Sequence, residues 1–237
     1  MRRFLIVLLA LPCGCALPPK APPPAAPAPP AAVPSGPYQR YEIVASSVEV
    51  RVYRDGPMAQ LGHNHLITAG GLTGTIDLRN PPGESRFSFE LPLASLVVDD
   101  PVAREAAGPD FAKEVPQADR EATRHNMLGS SVLDALRQPV LRLTAEGIEG
   151  GPAEFLARVR VGIRGEERIL SVPLSLRILD GLISVHARFS LHHADLGLTP
   201  YAAALGMLRV RDEIDVECRL EARRAAPAWG RAPGLSG

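Results

Sequence analysis

Residues 154–191 read EFLARVRVGIRGEERILSVPLSLRILDGLISVHARFSL. Apolar and polar residues alternate along three runs of this stretch, which is the pattern of strands with one buried and one solvent-facing side. Turn signals separate the runs, at residues 164–166 (Arg-Gly-Glu) and at Asp180 and Gly181. The stretch therefore predicts a meander of three long antiparallel strands.

Shorter runs of the same alternation extend the sheet on both sides of this meander. A first strand begins at Tyr41, and a change of parity at Ser46 and Ser47 predicts a bulge within it. Residues 118–137 form an amphipathic helix candidate that Pro139 would end. We therefore expect an all-β fold, an eight-stranded antiparallel barrel with one inserted helix.

The composition excludes several classes of function. The chain has 237 residues and a formal net charge of +0, which suits one or at most two domains and provides no electrostatic basis for binding nucleic acid. The three cysteines, Cys13, Cys15 and Cys218, exclude a disulfide framework, and no Cys/His zinc motif is visible. No nucleophile elbow or phosphate loop is present, so we expect neither an enzyme nor a bound cofactor. Cys218 has the apolar parity of the last strand and is expected to be an inert buried thiol.

The N-terminal region has the features of an export signal. A basic start and an apolar run at residues 4–11 indicate a signal peptide over residues 1–15. Gly14 and Cys15 resemble a bacterial lipoprotein processing site, although Pro12 stands where Leu is usual. We expect Cys15 to be acylated and to anchor a periplasmic protein in a bacterial membrane. An ordinary secreted protein, or an uncleaved stub, is the alternative.

The remaining boundaries follow from composition. Residues 16–37 are rich in Pro and Ala and predict an extended tether after the anchor. Residues 38–222 carry the strand pattern and form the barrel domain. Residues 223–237 have no pattern and are expected to be a disordered tail. The sequence contains no indication of the oligomeric state.

Six segments follow one another in an order that is informative. They are YEIVASSVEVRV from Tyr41, GLTGTIDL from Gly71, FSFELPLASLVVDDP from Phe87, MLGSSVLDALRQPVLRLTA from Met127, VRVGIRGEERILSVPLSL from Val159 and FSLHHADLGL from Phe189. In this order they resemble the YceI-like family, whose members are lipocalin-like periplasmic barrels that hold long isoprenoid-type lipids. The resemblance covers nearly all of residues 38–222. It implies a binding protein for an isoprenoid-type lipid or a similar amphiphile. Where family members often carry a His-Leu pair at the start of the inserted helix, this chain has Met127 and Leu128.

Alternation also predicts which side chains face the interior of the barrel. An aliphatic barrel of eight strands either fills itself or encloses one apolar ligand. Small residues among the large ones favour a cavity, namely Ala45, Gly74, Ala145, Ala157 and Ala187; a solid barrel with a structural role is the alternative. The residues expected to contact the ligand are Val50, Val52, Ile67, Ile76, Phe87, Phe89, Leu143, Phe155, Val159, Val161, Leu174, Leu176, Val185, Ala187 and Phe189.

Histidines provide the polar candidates. His63 and His65 are two residues apart and would share a face of a strand, where they could contact the headgroup of the ligand. With His192, His193 and Asp195 they could instead bind a metal ion, which would make the chain a metal-binding protein or a metal-dependent enzyme. Asp99 and Asp100 are expected to be solvent-facing loop charges.

Overall fold

Eleven strands and two α-helices make up residues 37–226, the part of the chain that the computed structural model describes. The strands are β1 (Gln39–Asp55), β2 (His65–Ala69), β3 (Thr73–Leu78), β4 (Arg86–Pro92), β5 (Val97–Val98), β6 (Val140–Gly150), β7 (Glu154–Ile163), β8 (Glu166–Leu179), β9 (Leu182–His192), β10 (Ala202–Ala203) and β11 (Leu208–Arg224). The helices are α1 (Pro101–Ala106) and α2 (Gln117–Leu128), both in the connection from β5 to β6.

The eleven strands form a closed antiparallel barrel of eight positions, as predicted. One edge of the long strand β1 pairs first with β3 and then with β2, so these two short strands share one position. In the same way β5 follows β4, and β10 extends the position of β9 along β11. The barrel closes where β1 pairs with β11, from Tyr41 opposite Arg224 to Asp55 opposite Arg209.

The predicted meander is confirmed as β7, β8 and β9. Ile163 pairs with Glu166, and Leu179 pairs with Leu182, so each hairpin has a two-residue loop. All four loop residues, 164–165 and 180–181, have positive φ angles. Such loops match the right-handed twist of the flanking strands, which explains why Arg-Gly and Asp-Gly were informative turn signals.

The bulge in β1 lies earlier than the sequence predicted. The register shifts between Ile43 and Ala45 rather than at Ser46 and Ser47. The unpaired residue at Val44 reverses the alternation, so Ser46 faces inward and its hydroxyl oxygen accepts a hydrogen bond from the Leu72 amide at 3.0 Å. Ala45 is consequently exposed on the outer surface, and its predicted contribution to a cavity was wrong.

The connection from β5 to β6 contains two helices rather than one. Asp100 caps α1 by accepting a hydrogen bond from the Ala103 amide at 3.0 Å, and Pro101 occupies the first helical position. Helix α2 ends at Leu128, well before Pro139, because the Gly-Ser-Ser sequence that follows is a poor helix former. Residues 129–139 instead form successive turns.

Residues 37–226 include the whole of the predicted barrel domain, residues 38–222. Strand β11 continues to Arg224, two residues beyond the boundary expected at residue 222. The expected signal peptide, Cys15 and almost all of the tether and tail lie outside residues 37–226. Within residues 37–226, no helix is long and apolar enough to cross a bilayer.

Candidate functional site

The barrel encloses a cavity of about 520 Å³. This volume lies within the usual range for small-molecule sites, so the barrel is hollow rather than solid. The wall includes every residue that the sequence predicted to contact a ligand: Val50, Val52, Ile67, Ile76, Phe87, Phe89, Leu143, Phe155, Val159, Val161, Leu174, Leu176, Val185, Ala187 and Phe189. The alternation of strands places them there, because each belongs to the inward parity of its strand.

The two ends of the barrel differ. At the end where β1 begins, Tyr41, Ile183 and Ala222 are fully buried and belong to one packed core. At the opposite end the wall includes Tyr201, which is 57% exposed and therefore marks a mouth of the cavity. Polar side chains on the wall are His65, Ser85, Thr123, Asn126, His193, Thr199 and Tyr201.

A buried ion-paired network supports His65 on the wall. His65 begins β2, pairs with Val52 and shares the inward parity of Ile67. Its Nδ1 lies 2.6 Å from Oδ2 of Asp99, a residue with 0% exposure that directly follows β5. The other carboxylate oxygen of Asp99 accepts a hydrogen bond from the Leu66 amide at 2.8 Å.

Arg104 of α1 completes this network. Its Nη1 donates hydrogen bonds to Oδ1 of Asp99 and to the carbonyl oxygen of Asn64, and its Nη2 donates to the carbonyl oxygen of Lys113 at 2.8 Å. The guanidinium also lies 5.6 Å from the ring centroid of Phe111. Arg104 is therefore a buried cation whose charge is matched by Asp99.

The electrostatics keep Asp99 ionised. Burial alone would raise the pKa of this carboxyl. The hydrogen bonds from His65 and from the Leu66 amide are the main effects that outweigh burial and lower the pKa below its usual value. Asp99 thus accepts hydrogen bonds with both oxygens and has no proton to donate.

The other histidines occupy separate surroundings. The ring centroid of His63 lies 6.3 Å from that of His65, and burial together with the charge of Lys113 lowers the pKa of His63. His192 and His193 both pair with Asp212, at 3.2 Å and 3.9 Å, and the Asp195 carboxylate accepts a hydrogen bond from the His192 amide.

Among the described residues, no three His, Cys, Asp or Glu side chains are placed to hold a metal ion. The histidines and Asp195 that the sequence suggested as metal ligands therefore do not form a metal site in the described part of the chain.

Two residues of the network were missed by sequence reasoning. Asp99 was expected to be a solvent-facing loop charge, and this was wrong, because α1 and the loop after it cover the carboxylate. Arg104 had no predicted role. The sequence did contain a signal, because two aspartates, Asp99 and Asp100, precede Pro101. Only one aspartate is needed to cap a helix that begins with Pro, so the other was available for a different role.

Cys218 lies on the cavity wall and is the free thiol of the described residues. It pairs with Val48 of β1 and Ala187 of β9. Burial raises the pKa of this thiol to about 11, so the thiol is protonated at neutral pH. The predicted inert character of Cys218 agrees with these surroundings.

Solved structures with a similar fold include BcnA of Burkholderia cenocepacia, with a TM-score of 0.53 and 11% identity, covering 74% of this chain and 95% of that chain. A polyisoprenoid binding domain from Saccharophagus degradans, implicated in plant cell wall breakdown, matches with a TM-score of 0.50 and 12% identity, covering 78% of this chain and 98% of that chain. No model of a protein family matches the sequence, and no curated protein matches it.

At this level of identity the likeness shows a shared fold. The resemblance to YceI-like barrels that the sequence indicated is thereby confirmed at the level of the fold.

Proposed function

We propose that this chain is a binding protein that holds an isoprenoid-type lipid or a similar amphiphile inside its barrel. The observation that carries the proposal is the cavity of about 520 Å³ with an almost wholly apolar wall. Burial of apolar ligand surface against such a wall contributes about 25 cal/mol per Å². The structural neighbour from Saccharophagus degradans, described as a polyisoprenoid binding domain, supports the same class of ligand.

The apolar wall residues would contact the hydrocarbon chain of the ligand. His65 would contact its polar end, since the imidazole lies on the wall. The ring of His63 lies close to that of His65 but outside the wall, and it would help His65 to bind the polar end of the ligand.

Native mass spectrometry of the protein purified from its host tests this proposal. We expect a co-purifying apolar molecule at up to one copy per chain, which organic extraction removes. A chain that carries no apolar molecule and that takes up none from a prenyl lipid mixture would contradict the proposal. A stoichiometric metal ion in place of the lipid would favour the alternative of a metal-binding protein.

The proposal extends to location. A lipid attached to Cys15 would hold the protein at a periplasmic membrane surface, because each buried methylene contributes about 0.8 kcal/mol. We expect Cys15→Ser to move the protein from the membrane fraction to the soluble periplasmic fraction, and Cys13→Ser to leave it in the membrane fraction. A wild-type protein that is already soluble would refute the anchor and would leave the binding proposal intact.

A further inference from the structure

We infer that His65 selects the polar end of the ligand by accepting a hydrogen bond from a hydroxyl group, so that the preferred ligand is a long-chain alcohol. The inference rests on the proposed function and specifies the chemical class of ligand. It also assigns to Asp99 and Arg104 the role of positioning residues, which act through His65 and do not touch the ligand.

The first step concerns which ring nitrogen of His65 carries a proton. Asp99 is an ionised carboxylate that only accepts hydrogen bonds, and its Oδ2 lies 2.6 Å from Nδ1 of His65. A contact of this length between a carboxylate and an imidazole requires a proton on the nitrogen. Nδ1 is therefore the protonated nitrogen, and Nε2 is the nitrogen left for a ligand.

The second step concerns charge. The negative charge of Asp99 is already matched by Arg104, whose Nη1 and Nη2 are held by carbonyl oxygens as well. A protonated His65 would be a second cation on Asp99, which Arg104 already neutralises, and it would lie against the apolar side chains of Val52 and Ile67, where an unmatched charge is costly. The neutral imidazole is the form that fits, and its Nε2 then presents a lone pair.

The third step concerns rigidity. Asn64, which precedes His65, accepts a hydrogen bond at its side-chain oxygen from the Arg54 amide at 3.1 Å and donates from its side-chain nitrogen to the Asp110 carbonyl oxygen at 2.9 Å. The ring of His65 is thus supported by a network whose members are themselves held. Such support fixes a binding group in one orientation and reduces the entropy lost when a ligand docks.

These three steps predict discrimination between ligands that differ by one hydrogen-bond donor. A lone pair at Nε2 accepts a hydrogen bond from an alcohol, whereas an ether or a hydrocarbon has no proton to offer. A net hydrogen bond of this kind favours the alcohol by about fivefold to tenfold in Kd.

The test uses the delipidated full chain and three probes, namely geranylgeraniol, its methyl ether and the corresponding hydrocarbon. We expect the wild type to bind the alcohol about fivefold to tenfold more tightly than the ether. His65→Phe should bind the alcohol and the ether equally while still binding the hydrocarbon. His193→Phe tests the other histidine of the wall, whose Nδ1 lies 2.7 Å from the Asp212 carbonyl oxygen and whose ring is not part of the network around Asp99, and the preference should persist.

A second measurement reads the tautomer without any ligand. Nitrogen-15 NMR of the histidine rings should report Nδ1 of His65 as protonated and Nε2 as bare. In Asp99→Asn the amide can donate to Nδ1, which would move the ring proton to Nε2 and abolish the preference for the alcohol. If Asp99→Asn does not fold, the spectrum of the wild type and the binding measurements on His65→Phe still test the role of His65.

The outcomes separate the two proposals. Equal binding of alcohol and ether by the wild type, or a proton on Nε2 in its spectrum, would overturn the role of His65 and leave a lipid-binding barrel. Loss of the preference in His193→Phe instead of His65→Phe would also overturn it. Failure of all three probes to bind would overturn the proposed function itself, and the inference with it.

Discussion

The carboxylate of Asp99 and the imidazole of His65 lie 2.6 Å apart, and this hydrogen bond joins a fully buried loop residue to the wall of the cavity. His65 begins β2 and Asp99 follows β5, so the pair also connects two neighbouring strands. The same interaction therefore contributes both to the stability of the barrel and to the candidate site. Stability and ligand binding can be measured separately, which allows the two contributions to be distinguished.

Replacement of Asp99 should change how stability depends on pH. The pKa of Asp99 is lowered in the folded protein, so its stabilising effect is complete above the unfolded-state pKa of about 3.9 and is lost as the pH falls through the lower folded-state value. At neutral pH, Asp99→Asn leaves Arg104 without its partner and should cost about 3 kcal/mol.

Urea unfolding at about pH 7 and at about pH 3 measures this effect. The difference in stability between wild type and Asp99→Asn should shrink at the lower pH. Asp110→Asn, at an exposed position, is the control and should match the wild type at both pH values. A difference that grows on acidification would contradict the proposed charge state of Asp99.

Enlarging Ala187 should separate ligand binding from stability. Ala187 lies on the cavity wall between Leu174 and Cys218 of the neighbouring strands. In a packed core, Ala187→Phe would cost about 1–3 kcal/mol, but here the ring can occupy the empty volume. We expect a melting temperature close to that of the wild type and much less bound lipid.

Ala45→Phe is the matched control for this substitution, since Ala45 is exposed on the outer side of β1. It should retain the lipid content of the wild type. Normal lipid content in Ala187→Phe, together with strong destabilisation, would show that the cavity is not the binding site.

The thiol of Cys218 should report on the cavity. Because burial raises the pKa of Cys218 to about 11, very little thiolate exists at pH 8, and a disulfide reagent should react slowly. In a chain with Cys13 and Cys15 replaced by Ser, we expect slow labelling when folded and rapid labelling in denaturant. Delipidation should accelerate labelling of the folded protein. Fast stoichiometric labelling of the lipid-loaded protein would be inconsistent with a thiol on an occupied cavity wall.

Gly74 should tolerate no side chain. Its φ angle is +135°, and a Cβ atom there would lie 2.0 Å from the carbonyl oxygen of Ser88 on the adjacent strand β4. Gly74→Ala should therefore cost about 3 kcal/mol in unfolding free energy. Gly147→Ala is the control, because a Cβ at Gly147 meets nothing within 4 Å, and it should change stability little. Comparable stability of the two variants by urea unfolding would refute the close approach of β3 and β4.

The fold and the cavity wall were predictable from the sequence because both depend on a local alternation of side chains. Val159 and Val161, for example, face inward by parity alone, and two-residue turns fix the register of β7 with β8. The bulge at Val44 was predicted in the wrong place because residues 44–47 (Val-Ala-Ser-Ser) do not alternate between apolar and polar. Their pattern therefore does not show which residue is unpaired.

The polar part of the candidate site could not be predicted in the same way. Asp99 and His65 are brought together by pairing of β2 with β5, which is a long-range relationship. The burial of Asp99 depends on how α1 packs over the end of these strands. A periodic pattern of side chains does not predict this packing. The sequence therefore suggested a loop charge for Asp99, and for His65 a contact with the headgroup of the ligand or, as the alternative, a metal ligand.

The pairing of β1 with β11 has a consequence for how the protein folds. These strands join the two ends of the described chain, so that the Ala225 amide donates a hydrogen bond to the Arg40 carbonyl oxygen at 2.9 Å. Contacts between residues so far apart in the chain form late, since a large loop must close before they are made. During synthesis, the edge of β1 that pairs with β11 has no hydrogen-bonding partner until β11 has been made. The unclosed sheet would meanwhile expose its apolar inner face and its unpaired edges, and assistance by a chaperone would be most valuable in this interval.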